Sequence, residues 1–216
     1  MSLKIKICGI TNEADGLMAA RLGADFLGFV FYPPSPRNVS PERSAAIMAA
    51  VRAEFGPAAP LAVGVFVNME PEPMNRVRER AALDGVQFSG DEPVSWLASQ
   101  KPLRLRGFSL DTPKRLEEGE AEAFLCDARA PGVYGGGGVP YDYRALEPWT
   151  RRFPIMVAGG LTPATVRDVV RLLRPWGVDV SSAVESAPGR KDAAKVERFV
   201  QEARMGESRA AESENG

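Results

Sequence analysis

Apolar residues follow two rhythms along the chain. Short runs alternate with period two or are wholly apolar, and between them lie longer stretches with apolar or small residues at helical spacing. The first pattern predicts strands over Leu3–Cys8, Asp25–Phe31, Leu61–Phe66, Gly85–Phe88, Leu103–Phe108, Ala123–Asp127, Ile155–Ala158 and Val178–Ser181. The second predicts helices over Asn12–Leu22, Pro41–Phe55, Pro71–Leu83, Glu92–Ser99, near Thr112–Glu118, and over Tyr143–Thr150, Pro163–Leu173 and Ala193–Ala203. Ser40 is placed as an N-cap with Pro41 at the first helical position, and Thr162 as the cap before Pro163. Strands that alternate with helices form parallel sheets. Eight strand–helix units of roughly 27 residues favour a single closed (β/α)8 TIM barrel of the α/β class over an open doubly wound sheet. Residues 1–204 are expected to be the barrel domain. The polar tail 205–216, with no aromatic residue, is expected to be disordered.

In this architecture chemistry sits at the carboxyl ends of the strands. On the first strand Leu3, Ile5 and Ile7 share the face that packs on helices. Lys4, Lys6 and Cys8 share the face that points into the barrel, which puts Cys8 at the mouth. Asp127 ends the sixth strand in phase with Ala123 and Leu125, whereas Cys126 has the opposite parity and should pack toward helices. Ala158-Gly159-Gly160-Leu161 follows the seventh strand and Ser181-Ser182-Ala183-Val184-Glu185 the eighth. Loops at these two places often bind phosphate through backbone amides and a short extra helix, here expected over Ser182–Glu185. Asp179 should face inward and join a buried network. Arg37 lies in the proline-rich loop Pro33–Arg37 after the second strand, where a guanidinium can clamp a carboxylate. Gly135–Gly138 lie in a loop that fits neither G-x-G-x-x-G nor a Walker A pattern.

Composition narrows the chemistry. Apolar residues make up 44% and charged residues 25%, with a net charge of −1, so nothing electrostatic calls for nucleic acid or an anionic membrane. No apolar run is long enough for a membrane span. Histidine is absent, which excludes a Ser-His-Asp triad, His-ligated metal and histidine acid–base catalysis. Two cysteines, Cys8 and Cys126, are not a disulfide framework. Met1–Lys6 has no apolar stretch before a cleavage site, and the expected compartment is a reducing cytoplasm.

Nine motifs in order extend from about residue 4 to 200. They are Lys6-Ile7-Cys8-Gly9-Ile10-Thr11, Leu27-Gly28-Phe29-Val30-Phe31, Ser35-Pro36-Arg37, Gly64-Val65-Phe66-Val67-Asn68, Val86-Gln87-Phe88-Ser89-Gly90-Asp91-Glu92, Leu125-Cys126-Asp127-Ala128, Ala158-Gly159-Gly160-Leu161, Val178-Asp179-Val180-Ser181-Ser182 and Pro188-Gly189-Arg190-Lys191-Asp192. Together they resemble the phosphoribosylanthranilate isomerase family of tryptophan biosynthesis. The chain departs from the family's usual His at Ser89, its usual Gly at Ala183 and its frequent Thr near Gly137.

The resemblance implies an Amadori rearrangement of a small phosphosugar, an aminoaldose becoming an aminoketose, with no cofactor and no metal. It implies Asp127 as general acid and Cys8 as general base. Gly159, Gly160, Ser181 and Ser182 are implied to hold phosphate, and Arg37 the anthranilate carboxylate. The implied enzyme needs neither nucleic acid nor membrane and works as a monomer or homodimer. Acid and base must be a protonated Asp and a thiolate, against reference values of about 3.9 and 8.5. Burial is expected to raise Asp127, and Lys6 is the nearest cation in sequence to lower Cys8. Among rivals, the histidine-pathway isomerase is expected to carry Asp where Cys8 stands, and a pentose-phosphate epimerase to need metal and His.

Overall fold

In the computed structural model the described residues are 2–100, 103–110, 116–127 and 142–212, with side chains described as far as 208. The strands are β1 (Lys4–Cys8), β2 (Phe26–Val30), β3 (Leu61–Phe66), β4 (Gly85–Phe88), β5 (Leu103–Phe108), β6 (Ala123–Cys126), β7 (Ile155–Val157) and β8 (Gly177–Val180). They close into a parallel barrel in chain order, with β1 pairing β8 through Lys6↔Asp179 and β2 through Cys8↔Gly28. Around them lie α1 (Glu13–Arg21), α2 (Pro41–Phe55), α3 (Pro71–Arg80), α4 (Val94–Ala98), α5 (Glu147–Thr150), α6 (Val166–Leu173) and α7 (Ala193–Glu212). A short hairpin, β9 (Glu185–Ala187) with β10 (Arg190–Lys191), is inserted between β8 and α7.

The period-two pattern decides which side chains fill which layer. Ile5, Ile7, Leu27, Phe29, Phe124 and Cys126 belong to the layer between barrel and helices. Phe26, Val63, Leu105, Ala123, Leu125 and Met156 form a second apolar cluster within the barrel. The upper interior is polar instead: Lys6 is fully buried beside Asp179, and Gln87 is buried on β4. An apolar floor under a polar mouth is the arrangement that a site at the strand ends requires. Lys4 shares the parity of Lys6 but sits at the other end of the barrel, paired with Asp25 at 3.2 Å.

Several boundaries differ from expectation for local reasons. Ser40 caps α2 through the Arg43 N–H with Pro41 in the first turn, as expected. The helix after β4 starts at Val94, not Glu92, because the Glu92 carboxylate instead accepts the Asn68 and Gly90 N–H groups and ties two loops together. The helix expected from Pro163 begins at Val166, while the Thr162 hydroxyl accepts the Ala164 N–H in a preceding turn. Thr112–Lys114 of the expected fifth helix, with Arg115, lies outside the described residues, and residues 116–118 are irregular. So does the Gly135–Gly138 loop.

The tail is the clearest correction. The helix expected to end at Ala203 runs on to Glu212, where disorder was expected from residue 205. Its first extra turn has partners: the Leu3 N–H donates to Glu207 at 2.6 Å, and Gly206 packs so close to α6 that a Cβ would lie 2.8 Å from the Arg167 carbonyl. Polarity alone hid this, since Glu207 is held by a backbone N–H and Gly206 by close packing on α6. Among the described residues no helix is long and apolar enough to cross a membrane.

Candidate active site

Two cavities open at the carboxyl ends of the strands. The first is lined by Ala158, Gly159, Gly160, Leu161 and Thr162 after β7 and by Ser181, Ser182 and Ala183 after β8. The second is lined by Cys8, Arg37, Gln87 and Ser89, with Val30, Tyr32, Val65, Val67 and Leu125 as its apolar wall. Asp127, Asp179 and Ser181 line both, so the cavities meet at these three residues. Every residue singled out in the sequence as acid, base or binding group therefore lines one of these two cavities or both.

Cys8 reaches the mouth because the β1 parity turns it inward, and Gly28 beside it makes room: a Cβ there would lie 2.8 Å from the Cys8 Sγ. Cys126, one residue before Asp127, is buried in the outer layer, as its parity predicted. Asp127 follows β6, its N–H bonded to the Phe108 carbonyl at 3.2 Å.

The expected thiolate at Cys8 is not what the resting site favours. Burial pushes the thiol up; Lys6 pulls it down, Asp179 raises it again, Lys191 lowers it, and the balance is upward. Lys6 does not act as a lone cation because its Nζ lies 2.8 Å from the Asp179 carboxylate. Burial opposes the charge on Lys6, but Asp179 and then Cys8 outweigh it and hold the ammonium above the ordinary lysine value. The inward placement of Asp179 in a buried network matches the sequence reading.

At the phosphate-type end, Gly159 and Gly160 both take φ of 71°, a conformation that glycine adopts without strain. The Tyr143 hydroxyl donates to the Gly159 carbonyl at 2.8 Å. Because C=O and N–H point oppositely across a planar peptide, this bond also fixes the direction of the Gly160 N–H. Burial, with the nearby Asp127 charge, pushes the Tyr143 phenol up to about 12. The short helix expected at Ser182–Glu185 is a single 3-10 turn, Ser182–Val184. The Ser181 Oγ is buried with no hydrogen-bond partner among the described residues.

Arg37 is not free. Its Nε and Nη2 donate to the two Glu185 carboxylate oxygens at 2.8 and 2.7 Å. Glu185 also accepts from Lys191 Nζ at 2.9 Å. Sequence reasoning gave no role to Glu185, whose partner Arg37 is 148 positions away, or to Tyr143, which bonds Gly159 from 16 positions away. Glu185 carried one usable signal, an acid in the loop after β8. Tyr143 carried none, since it opens a short helix. Among the described residues no three His, Cys, Asp or Glu side chains converge as a metal site.

Comparison with known proteins agrees with this geometry. The sequence profile of the family described as N-(5'phosphoribosyl)anthranilate (PRA) isomerase matches residues 5–202. The N-(5'-phosphoribosyl)anthranilate isomerase of Trichlorobacter lovleyi is 43% identical over 208 residues, covering 94% of this chain and 98% of its own. The crystal structure of phosphoribosyl anthranilate isomerase from Thermus thermophilus superposes with a TM-score of 0.82 at 35% identity, covering 94% of this chain and 98% of that one. A structure of such an isomerase in complex with reduced 1-(o-carboxyphenylamino)-1-deoxyribulose 5-phosphate superposes at 0.77 with 34% identity, covering 94% and 99%. This chain belongs to the N-(5'-phosphoribosyl)anthranilate isomerase family.

Proposed function

We propose that the chain converts N-(5-phosphoribosyl)anthranilate to 1-(2-carboxyphenylamino)-1-deoxyribulose 5-phosphate in tryptophan biosynthesis, with Asp127 as general acid and Cys8 as general base. The observation that carries this reading is the meeting of two cavities at Asp127, Asp179 and Ser181, with Cys8 on one side and the glycine loop on the other. A substrate with an aryl carboxylate at one end and a phosphate at the other has a place for each end and a proton donor and acceptor between them.

Asp127 protonates the ribose ring oxygen, the C1–O bond breaks, and the electron pair on nitrogen forms a cationic Schiff base. Cys8 takes the proton from C2, which the iminium has made acidic. The resulting enolamine takes a proton at C1 and loses the one on its C2 hydroxyl to become the ketone, which returns Asp127 and Cys8 to their starting forms, so the reaction is an isomerisation with no net change in atoms or electrons. The amides of Gly159 and Gly160 with the hydroxyls of Ser181 and Ser182 hold the phosphate. The buried Ser181 hydroxyl, without a partner among the described residues, supports a ligand oxygen there. Arg37 meets the carboxylate with the guanidinium edge that Glu185 leaves over. Holding both ends fixes C2 near Cys8, and orientation of this kind supplies much of the rate. The enzyme acts in the cytoplasm on its small-molecule substrate, as a monomer or a homodimer.

Turnover of freshly made phosphoribosylanthranilate, followed by anthranilate fluorescence, tests the reading. Decay above the spontaneous rate, with kcat strongly lowered and KM little changed in Cys8→Ser and in Asp127→Asn, is the expected result. Decay at the wild-type rate in Cys8→Ser overturns the base assignment. Absence of decay in the wild-type protein overturns the activity.

A further inference from the structure

The buried cluster behind Arg37 joins parts of the site that the chemistry above treats separately. Glu185 is buried at the start of β9, and its carboxylate takes three hydrogen bonds: Arg37 Nε at 2.8 Å, Arg37 Nη2 at 2.7 Å and Lys191 Nζ at 2.9 Å. Lys191 stands opposite it on β10, its side chain fully buried. The same ammonium donates to the Ser181 carbonyl at 3.3 Å. Lys195 at the head of α7 holds the Glu185 backbone carbonyl at 2.8 Å. Arg37 itself crosses Gly9 so closely that a Cβ there would lie 2.6 Å from its Cδ and 3.0 Å from the Ser181 Oγ.

One carboxylate thus binds an arginine from the loop after β2 and a lysine that touches the loop after β8. We propose that Glu185 is a positioning residue that couples the two ends of the substrate site. It aims the end edge of Arg37 at the aryl carboxylate and, through Lys191, sets the Ser181 backbone at the phosphate end. This inference rests on the isomerase reading. Guanidinium–carboxylate forks are directional, so Glu185 restricts Arg37 to one plane and leaves the Nη1 edge to the ligand. Two cations, Arg37 and Lys191, share the one Glu185 carboxylate, which leaves positive charge for a second anion. Burial opposes the charge on Glu185, but Arg37 and Lys191 outweigh it and keep the carboxyl ionised below its ordinary value.

Glu185→Gln keeps the shape but turns one acceptor into a donor facing N–H groups. The expected result is a KM for phosphoribosylanthranilate raised tenfold or more, with kcat lowered less than threefold. Two half-ligands separate the ends: anthranilate carries only the carboxylate, and ribose 5-phosphate only the phosphate. As competitive inhibitors, both should weaken at least threefold in Glu185→Gln. Glu185→Asp, which retains the charge, should recover part of each loss, and it carries the test if the Gln variant does not fold. Weakening of anthranilate alone would confine Glu185 to Arg37 and overturn the coupling. A lowered Tm with unchanged inhibition constants would leave only a structural ion pair, and would also overturn it. Wild-type turnover in the same assay separates the two ideas. If the wild type turns over and Glu185→Gln matches it, only the role of Glu185 fails; if the wild type does not, the isomerase reading fails.

Discussion

Gly28 faces Cys8 across the β1–β2 ladder, and replacing it by Ala tests whether the position of Cys8 controls the rate. A Cβ on Gly28 would lie 2.8 Å from the Cys8 Sγ, 3.0 Å from its Cα and 3.2 Å from its Cβ. Non-bonded contacts of this kind settle at about 3.5–4.0 Å, so the new methyl must displace the thiol by roughly 0.7–1.2 Å. Cys8 cannot relieve this by rotating, because its Cα is among the crowded atoms. The next residues, Gly9 and Ile10, are held to the Gly28 carbonyl at 2.9 and 3.0 Å. A misplacement of about 1 Å costs on the order of 10²-fold in rate. Overpacking the barrel costs about 1–3 kcal/mol, which at this chain length lowers Tm by roughly 2–12 °C. Gly177→Ala is the control. Its Cβ would lie 2.8 Å from the Lys4 carbonyl and 3.1 Å from the Met156 Cε, at the opposite end of the barrel. Calorimetry and the fluorescence assay together should show similar loss of Tm in the two variants, but a loss of kcat near 10²-fold in Gly28→Ala alone. Full kcat in Gly28→Ala, or an equal loss in a folded Gly177→Ala, would refute the link between Cys8 placement and catalysis.

Three further outcomes are expected. In a Cys126→Ser background, alkylation of Cys8 by iodoacetamide should be slow at pH 7 and rise about tenfold per pH unit to above pH 9, because burial and Asp179 favour the thiol; a plateau below pH 8 would refute this. Ser181→Ala removes a buried hydroxyl without a partner among the described residues, a penalty of about 1–3 kcal/mol, so Tm should rise while KM rises too; a lower Tm would show that the hydroxyl is satisfied in the free protein. Tyr143→Phe deletes the bond to the Gly159 carbonyl and should raise KM three- to tenfold with kcat nearly kept. Because the phenol titrates only near 12, the pH–rate profile should change in height and not in shape.

What the sequence revealed and what it hid follow from the range of the interactions. Alternation is local, so the inward turn of Cys8 and the outward turn of Cys126 could be read from their neighbours alone. So could the cap at Ser40, which lies three residues from the N–H it accepts. Arg37 was legible as a cation in a stiff loop, but its partner is 148 positions away and no local pattern points to it. Glu92 read as helical because its neighbours do. Its real partners are backbone N–H groups, which no sequence displays. The α7 extension was lost for the same reason, since Glu207 pairs with the backbone of Leu3.

The electrostatics of Cys8 were illegible for a different reason. A sequence shows that Lys6 is near but not that its charge is matched. In the structure each lysine close to the thiol is paired with a carboxylate, Asp179 for Lys6 and, shared with Arg37, Glu185 for Lys191. An unmatched cation there would hold a standing thiolate, which is the form that oxidants and alkylating agents attack. Burial first, and then the Asp179 charge against the pull of Lys6, hold the thiol above its ordinary value. On the proposed mechanism the missing positive charge arrives with the chemistry. Ring opening creates an iminium one carbon away from the proton to be removed, and that cation favours the thiolate, the thiol proton passing to the Asp127 carboxylate that ring opening leaves behind. Asp179→Asn tests the division of labour: it strips Lys6 of its partner, so Cys8 in the empty enzyme should be alkylated faster at pH 7 than in the wild type. If the rate is unchanged, Asp179 does not govern the resting thiol, and burial alone keeps it protonated.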